Sequence, residues 1–414
     1  MRELWNRIAY TSGARIYAYT IGFLILTITA RWLGPEGRGI IASLTTWAAM
    51  FATLGDLSLG QVALHHATDR RDEAWLKPVF GSLALVCALV TVLGWALAVL
   101  LYLATDGALF RNLNTTILII GFLSLPALIW ERYGSSLLMA EDKLSIYNKA
   151  QVVGRTTGLV LVCVAWFLDR SVASVLFAML VSQAITAGVG VRHLYRRAQK
   201  SLVPQLATTL TLIRGGIKLH WNTIGTFLIM TTDILIVNHY HGLEATGQYQ
   251  MAVQLINIIL IVPTSASMML YGQITKLGIE DVWAYYRKVV IWLTVAIAVL
   301  CIVSALVAPF VIPLVLGERF VPSVPYFQIL LLAVIGMSLS VVMAPQWISR
   351  GWFWQTSAMT VIIGAGNLTA GLILIPIYGI YAAVWTTVAT YAISFVVHGG
   401  VAVWCERRYR QLAS

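Results

Sequence analysis

Eight ionisable side chains lie within apolar runs of this 414-residue chain, and their types are the ones best suited to do chemistry there. The cations are Arg15, Arg132, Arg155, Arg214 and Lys218; the carboxylates are Asp56, Glu131 and Asp233. A charge at the centre of a bilayer costs about 2.5 to 3.5 kcal/mol on insertion scales, so each one marks a ligand path, an ion path or an internal pair. Arginine suits a multi-oxygen anion, because its planar fork binds two oxygens at once and stays protonated at low dielectric. The carboxylates suit proton or sodium coupling. Arg15 and Arg155 lie about six residues inside the expected inner boundary, ~9 Å along a helix, a depth that a snorkelling guanidinium nearly spans. Glu131, Arg132 and Asp56 lie deeper, and Asp233 falls towards the outer face, so a chamber open to the inside would have a basic floor. The same charges also suit pairs between Asp56, Glu131 and the arginines that only hold helices together.

The elements that must position these charges are membrane helices. Hydrophobic residues make up 59% of the chain and charged ones 11%, against roughly 25% charged in soluble domains, which excludes a soluble protein. About 20 apolar residues cross the hydrocarbon. That window predicts spans at 9–30, 40–64, 78–104, 115–139, 149–167 and 172–194, then at 215–238, 247–275, 289–316, 324–348, 355–376 and 379–404. Twelve spans return both termini to one side. Eighteen of the 28 Lys and Arg fall in the tails and loops of that side, and only Arg31, Arg38, Arg111, Arg170 and Arg319 in the opposite loops, which places both termini in the cytoplasm. The net charge of +11 therefore reports topology and not nucleic-acid binding. The expected fold class is all-α: a polytopic membrane protein of twelve transmembrane helices. Its N-terminal six-helix half is 1–194, a cytoplasmic linker spans 195–213, and the C-terminal half, 214–414, ends in a basic cytoplasmic tail.

Each half carries one turn after its first span: Gly34-Pro35-Glu36-Gly37-Arg38-Gly39 and Gly242-Leu243-Glu244-Ala245-Thr246-Gly247. Gly34, Glu36 and Gly39 recur as Gly242, Glu244 and Gly247, at the same place in each half. Glycines around an acidic residue suit a tight turn. Six spans separate the copies, so the halves share an orientation. A parallel pseudo-twofold arrangement about the membrane normal, around a central cavity, is expected.

With twelve spans, a duplicated half and the turn Arg31-Trp32-Leu33-Gly34-Pro35-Glu36-Gly37-Arg38-Gly39, the chain resembles the polysaccharide flippases, the Wzx-like branch of the multidrug, oligosaccharidyl-lipid and polysaccharide exporter superfamily. Further matching pieces are Leu54-Gly55-Asp56-Leu57-Ser58-Leu59-Gly60, and Asp233 followed by Asn238, Gly242 and Gly247-Gln248-Tyr249. The resemblance implies a carrier in the cytoplasmic (inner) membrane that moves a polyprenyl-pyrophosphate-linked oligosaccharide to the outer leaflet by alternating access, for surface polysaccharides such as O-antigen or exopolysaccharide. It implies membrane lipids and polysaccharide-assembly proteins as partners, and no cofactor beyond a coupling Na+ or H+. It makes Arg15, Arg132, Arg155, Arg214 and Lys218 headgroup residues, and Asp56, Glu131 and Asp233 coupling or ion-pair residues. Arg15 gains most, since first-span arginines in the related lipid II flippases line the cavity and meet the pyrophosphate.

Two rivals are weighed against it. A multidrug or organic-cation antiporter of the same superfamily needs an acidic or apolar cavity, and the embedded arginines oppose that. A membrane polysaccharide polymerase or ligase needs a sizeable extracytoplasmic loop to carry its catalytic groups, and the gaps between spans are too short. Walker, HExxH and GxSxG motifs are missing, so a transporter and not an enzyme is expected. His239 and His241 lack a third ligand, and Cys87, Cys163, Cys301 and Cys405 have neither disulfide nor zinc spacing, so no metal is expected. Trp47, Trp130 and Trp221 are candidates for stacking on sugar rings, and breakers such as Pro126 and Gly158 for helix bending.

Overall fold

The computed structural model describes residues 2–69, 75–278 and 282–413; the side chains of 2–12, 14–15, 68–69, 275–277 and 412–413 lie outside the described set. Among the described residues every long element is a helix and no strand occurs. The first six crossings are built from α1 (Arg2–Asp56), α2 (Leu59–Asp69), α3 (Leu76–Ala104), α4 (Thr115–Leu123), α5 (Leu125–Ala140), α6 (Leu144–Leu168) and α7 (Val172–Arg197). The second six use α8 (Leu206–Met230), α9 (Thr232–Ile259), α10 (Ile261–Leu277), α11 (Trp283–Leu316), α12 (Ser323–Ser349), α13 (Phe353–Tyr378) and α14 (Ile380–Ala413).

Two apolar stretches, Ile16–Asp56 and Leu206–Ile274, run 41 and 69 residues. At 1.5 Å per residue each is at least twice as long as a hydrocarbon core of about 30 Å, so each crosses twice. Both break at the duplicated turn. Gly34 has φ 68° and ψ −172°, and Gly242 has φ 82° and ψ −175°. That region of backbone space is open to glycine almost alone, so the repeat read in the sequence is also a repeat of conformation. A Cβ at Gly242 would meet nothing within 4 Å, so its only cost is backbone strain. Gly242→Ala is expected to lower stability by about 1 to 3 kcal/mol, read as an earlier thermal unfolding midpoint in detergent. Gly188→Ala, equally open but within α7, is expected to leave the midpoint unchanged or raise it, since alanine is the better helix former. Equal midpoints for the two variants would show that the turn does not need its glycine.

The chain packs as two compact units, Met1–Phe227 and Leu228–Ser414. The division falls within α8 and not in the 195–213 stretch, of which residues up to Arg197 continue α7 and those from Leu206 begin α8. The reason is local: α8 lies against the α1–α2 junction, so close that a Cβ on Gly216 would stand 2.3 Å from the Leu57 carbonyl oxygen.

In the first unit α6 packs along α7 and against α1, while α5 packs against α1, α2 and α7. Gly154 and Gly158 of α6 face Thr186 and Ser182 of α7; added Cβ atoms would lie 2.3 Å from Thr186 Oγ1 and 3.0 Å from Ser182 Cβ. Gly158 therefore serves close helix packing, the usual role of small residues four apart in membrane helices. Trp47 packs on Phe51 and Phe110, and Trp130 on Phe80 and Tyr133, both inside the core. Of the three stacking candidates only Trp221 is exposed. In the second unit α12 is the central helix, packed by α9, α10, α11 and α14, with α13 against α9 and α14. Trp283, Tyr286, Trp347 and Cys405 are part of its core.

Candidate functional site

Asp56 ends α1, and the chain then passes through Leu57 (φ 47°) and Ser58 (φ 54°), two consecutive non-glycine residues in the left-handed region. Such a conformation is costly and persists only where the surroundings hold it. Asp56 supplies that hold. Its Oδ1 accepts the Ser58 backbone N–H at 2.8 Å, its Oδ2 accepts Arg132 Nη1 at 2.6 Å, and its carbonyl oxygen accepts the Tyr133 hydroxyl at 2.9 Å. Arg132 Nη2 also donates to Thr53 Oγ1 at 2.9 Å. From α8, Thr223 Oγ1 lies 3.1 Å and His220 Nδ1 3.2 Å from Ser58 Oγ, and His220 Nδ1 is 3.7 Å from Asp56 Oδ1. Arg132 keeps 39% of its side chain exposed and Asp56 only 7%. The pair is thus an anchor that joins α1, α2, α5 and α8, with the guanidinium committed through both terminal nitrogens.

Glu131 precedes Arg132 on α5 but points elsewhere. Its Oε1 accepts the Tyr147 hydroxyl of α6 at 2.8 Å and its Oε2 accepts Gln183 Nε2 of α7 in a short contact. Gln151 Nε2 donates to the Tyr147 oxygen at 2.8 Å. Arg155 stands one turn further along α6 and is exposed. Val153, Val160, Val164 and Phe167 form the exposed apolar stripe of α6. At 100° per residue Tyr147, Gln151 and Arg155 fall on the far side of the helix from that stripe. Gly154 and Gly158 share that side, so the polar residues flank the seam where α6 packs on α7.

Arg214 and Lys218 lie on α8 in an exposed polar stripe with Thr211, Asn222 and Thr226, one residue per turn. Gly216 and His220, which meet the α1–α2 junction, are on the other side. Arg155, Arg214 and Lys218 make no hydrogen bond or ion pair among the described residues. Arg15 is on α1, and its side chain lies outside the described residues.

Asp233 opens α9 and is buried in the second unit. Its Oδ1 accepts Asn367 Nδ2 at 3.1 Å; its Oδ2 accepts the Tyr249 and Thr387 hydroxyls, each at 3.1 Å. Asn367 Oδ1 in turn accepts Thr390 Oγ1 at 2.9 Å. These partners come from α9, α13 and α14 and all are neutral. Tyr249 was legible as part of a matching segment, but Asn367, Thr387 and Thr390 were not, since isolated Asn and Thr in an apolar helix are common.

At the repeat turns Glu36 and Glu244 are exposed, while Gly34, Gly39 and Gly247 are buried. Arg38 corrects the sequence reading. Expected in an outer loop, it lies on α1 with 5% exposure, and its Nη1 donates to Thr29 Oγ1 at 3.1 Å. The helix resumes at Pro35, a residue pre-set for a first helical turn, so no loop exists to hold Arg38. His239 and His241 are likewise helical, within α9, and His241 Nε2 lies 2.6 Å from the Ile375 carbonyl oxygen.

Long apolar helices that cross twelve times, with the same left-handed glycine turn at Gly34 and Gly242, define a class, the polytopic membrane proteins. Within that class the chain belongs to the polysaccharide biosynthesis protein family, whose model matches residues 4–277. Solved structures share the fold. An inward-facing multidrug resistance MATE family transporter of the MOP superfamily aligns with TM-score 0.73 and 14% identity over 95% of each chain. Lipid II flippase MurJ, in an inward closed conformation, aligns with TM-score 0.69 and 12% identity over 94% of this chain and 86% of that one. A MOP superfamily transporter from Pyrococcus furiosus aligns with TM-score 0.62 and 15% identity over 98% and 96%. At these identities the likeness is one of fold. No curated protein sequence matches the chain.

Proposed function

We propose that this chain is a flippase that carries a polyprenyl-pyrophosphate-linked oligosaccharide across the cytoplasmic membrane, with both termini on the cytoplasmic side. The observation that carries this reading is the set of Arg155, Arg214 and Lys218: membrane-embedded, exposed and without a counter-ion among the described residues. A pyrophosphate supplies the missing charge, and guanidinium binds its oxygens in pairs. Arg15 joins them by its depth on the first span, whereas Arg132 acts through Asp56, holding the junction on which α8 rests. The membrane potential, negative inside, favours outward movement of anions by about 2.3 kcal/mol per charge per 100 mV. Asp233 is the candidate coupling group, because it is a carboxylate buried in the second unit whose bonded partners are all neutral.

The test is reconstitution into vesicles with two probes, a fluorescent polyprenyl-pyrophosphate oligosaccharide and a fluorescent organic cation, with and without imposed proton and sodium gradients. Transfer of the lipid and exclusion of the cation are expected. Uptake of the cation with no lipid movement would make the chain a drug antiporter.

A further inference from the structure

We propose that Glu131, Tyr147, Gln151 and Gln183 form a subsite for the hydroxyl groups of a neutral sugar, the first one attached to the pyrophosphate. This rests on the flippase reading and adds to it the part of the substrate that the first unit selects. The four side chains come from α5, α6 and α7 and are only half-buried. Their mutual bonds leave capacity open. An ionised carboxylate offers about four acceptor sites, and Glu131 uses two, on Tyr147 and Gln183. Gln151 and Gln183 each donate from Nε2, while both amide oxygens lack a donor among the described residues. Open acceptors half-exposed within a membrane span cannot be satisfied by acyl chains, and on α6 they lie away from the apolar stripe. They are matched by a polyol, whose adjacent hydroxyls both donate and accept.

Charge narrows the ligand. Glu131 repels a phosphate, and Arg155, on the same side of α6, repels an organic cation; a neutral hydroxylated ring is opposed by neither. The spacing also fits. Arg155 is four residues beyond Gln151, about 6 Å along the helix, close to the breadth of one pyranose ring. A pyrophosphate held at Arg155 therefore places its first sugar beside Gln151 and Glu131.

The experiment compares vesicle transfer of the fluorescent polyprenyl-pyrophosphate oligosaccharide with that of the same polyprenyl pyrophosphate bearing no sugar. Gln183→Leu and Tyr147→Phe are expected to slow the glycosylated carrier about tenfold, the loss of one or two polar contacts, and to leave the bare carrier unchanged. An equal fall for both carriers would make the cluster structural, and no fall for either would remove the subsite. Should the unaltered protein move neither lipid, the flippase reading fails by itself, and the subsite is then read by saturation-transfer NMR with the free oligosaccharide. Binding that Gln183→Leu abolishes supports the subsite; no binding, or displacement by an organic cation, overturns it. Gln151→Ala is the second variant should Gln183→Leu not fold.

Discussion

Asp56→Ala is expected to destabilise this protein by about 3 kcal/mol, the lower end of the range for breaking a buried ion pair. The lower end applies because Arg132 is partly exposed and water compensates some of the charge left behind. The loss is nonetheless large, since one side chain holds three things: the Arg132 guanidinium, the Ser58 backbone N–H and, through Ser58, the contacts of Thr223 and His220. The left-handed Leu57 and Ser58 would lose the acceptor that stabilises them. Thermal unfolding of the purified protein in detergent gives the measurement, and a double-mutant cycle with Arg132→Met isolates the pair. The two single variants are expected to lose more in sum than the double variant, with a coupling of about 0.5 to 3 kcal/mol. Strict additivity would show that Asp56 and Arg132 do not act as a pair and do not anchor the junction.

The opposite signature is expected for Arg214→Gln and Lys218→Gln. Neither cation bonds to a described residue, and both are exposed, so unfolding midpoints should stay where they are. Transfer of the pyrophosphate-linked oligosaccharide should fall about tenfold for each, the usual scale for one hydrogen bond to a charged group, and further for the double variant. Lys218→Arg should retain transfer and Arg214→Lys should keep only part of it, because the planar fork and not the charge alone engages paired oxygens. Initial transfer rates at matched protein levels decide this. Full transfer by the double variant would remove the α8 stripe from the headgroup path. Taken with the Asp56 result, the pair of experiments separates charges that build the fold from charges that meet a ligand.

The sequence by itself determined the number of crossings, the duplicated turn and the eight embedded charges, because each depends on neighbours along the chain. Hydropathy over about 20 residues decides a span, and a glycine-only backbone is decided at Gly34 and Gly242 themselves. Tertiary structure alone decided which partners the charges meet. Arg132 meets Asp56 across 76 positions and Asp233 meets Asn367 and Thr387 across 134 and 154, separations that no local pattern encodes. Glu131 and Arg132 are adjacent in the chain yet serve different clusters, since successive residues on a helix point about 100° apart and α5 has a different neighbour on each side. Arg38 entered the interior for a similar reason: the chain resumes its helix at once after Gly34, and packing with Thr29, not loop polarity, sets its surroundings.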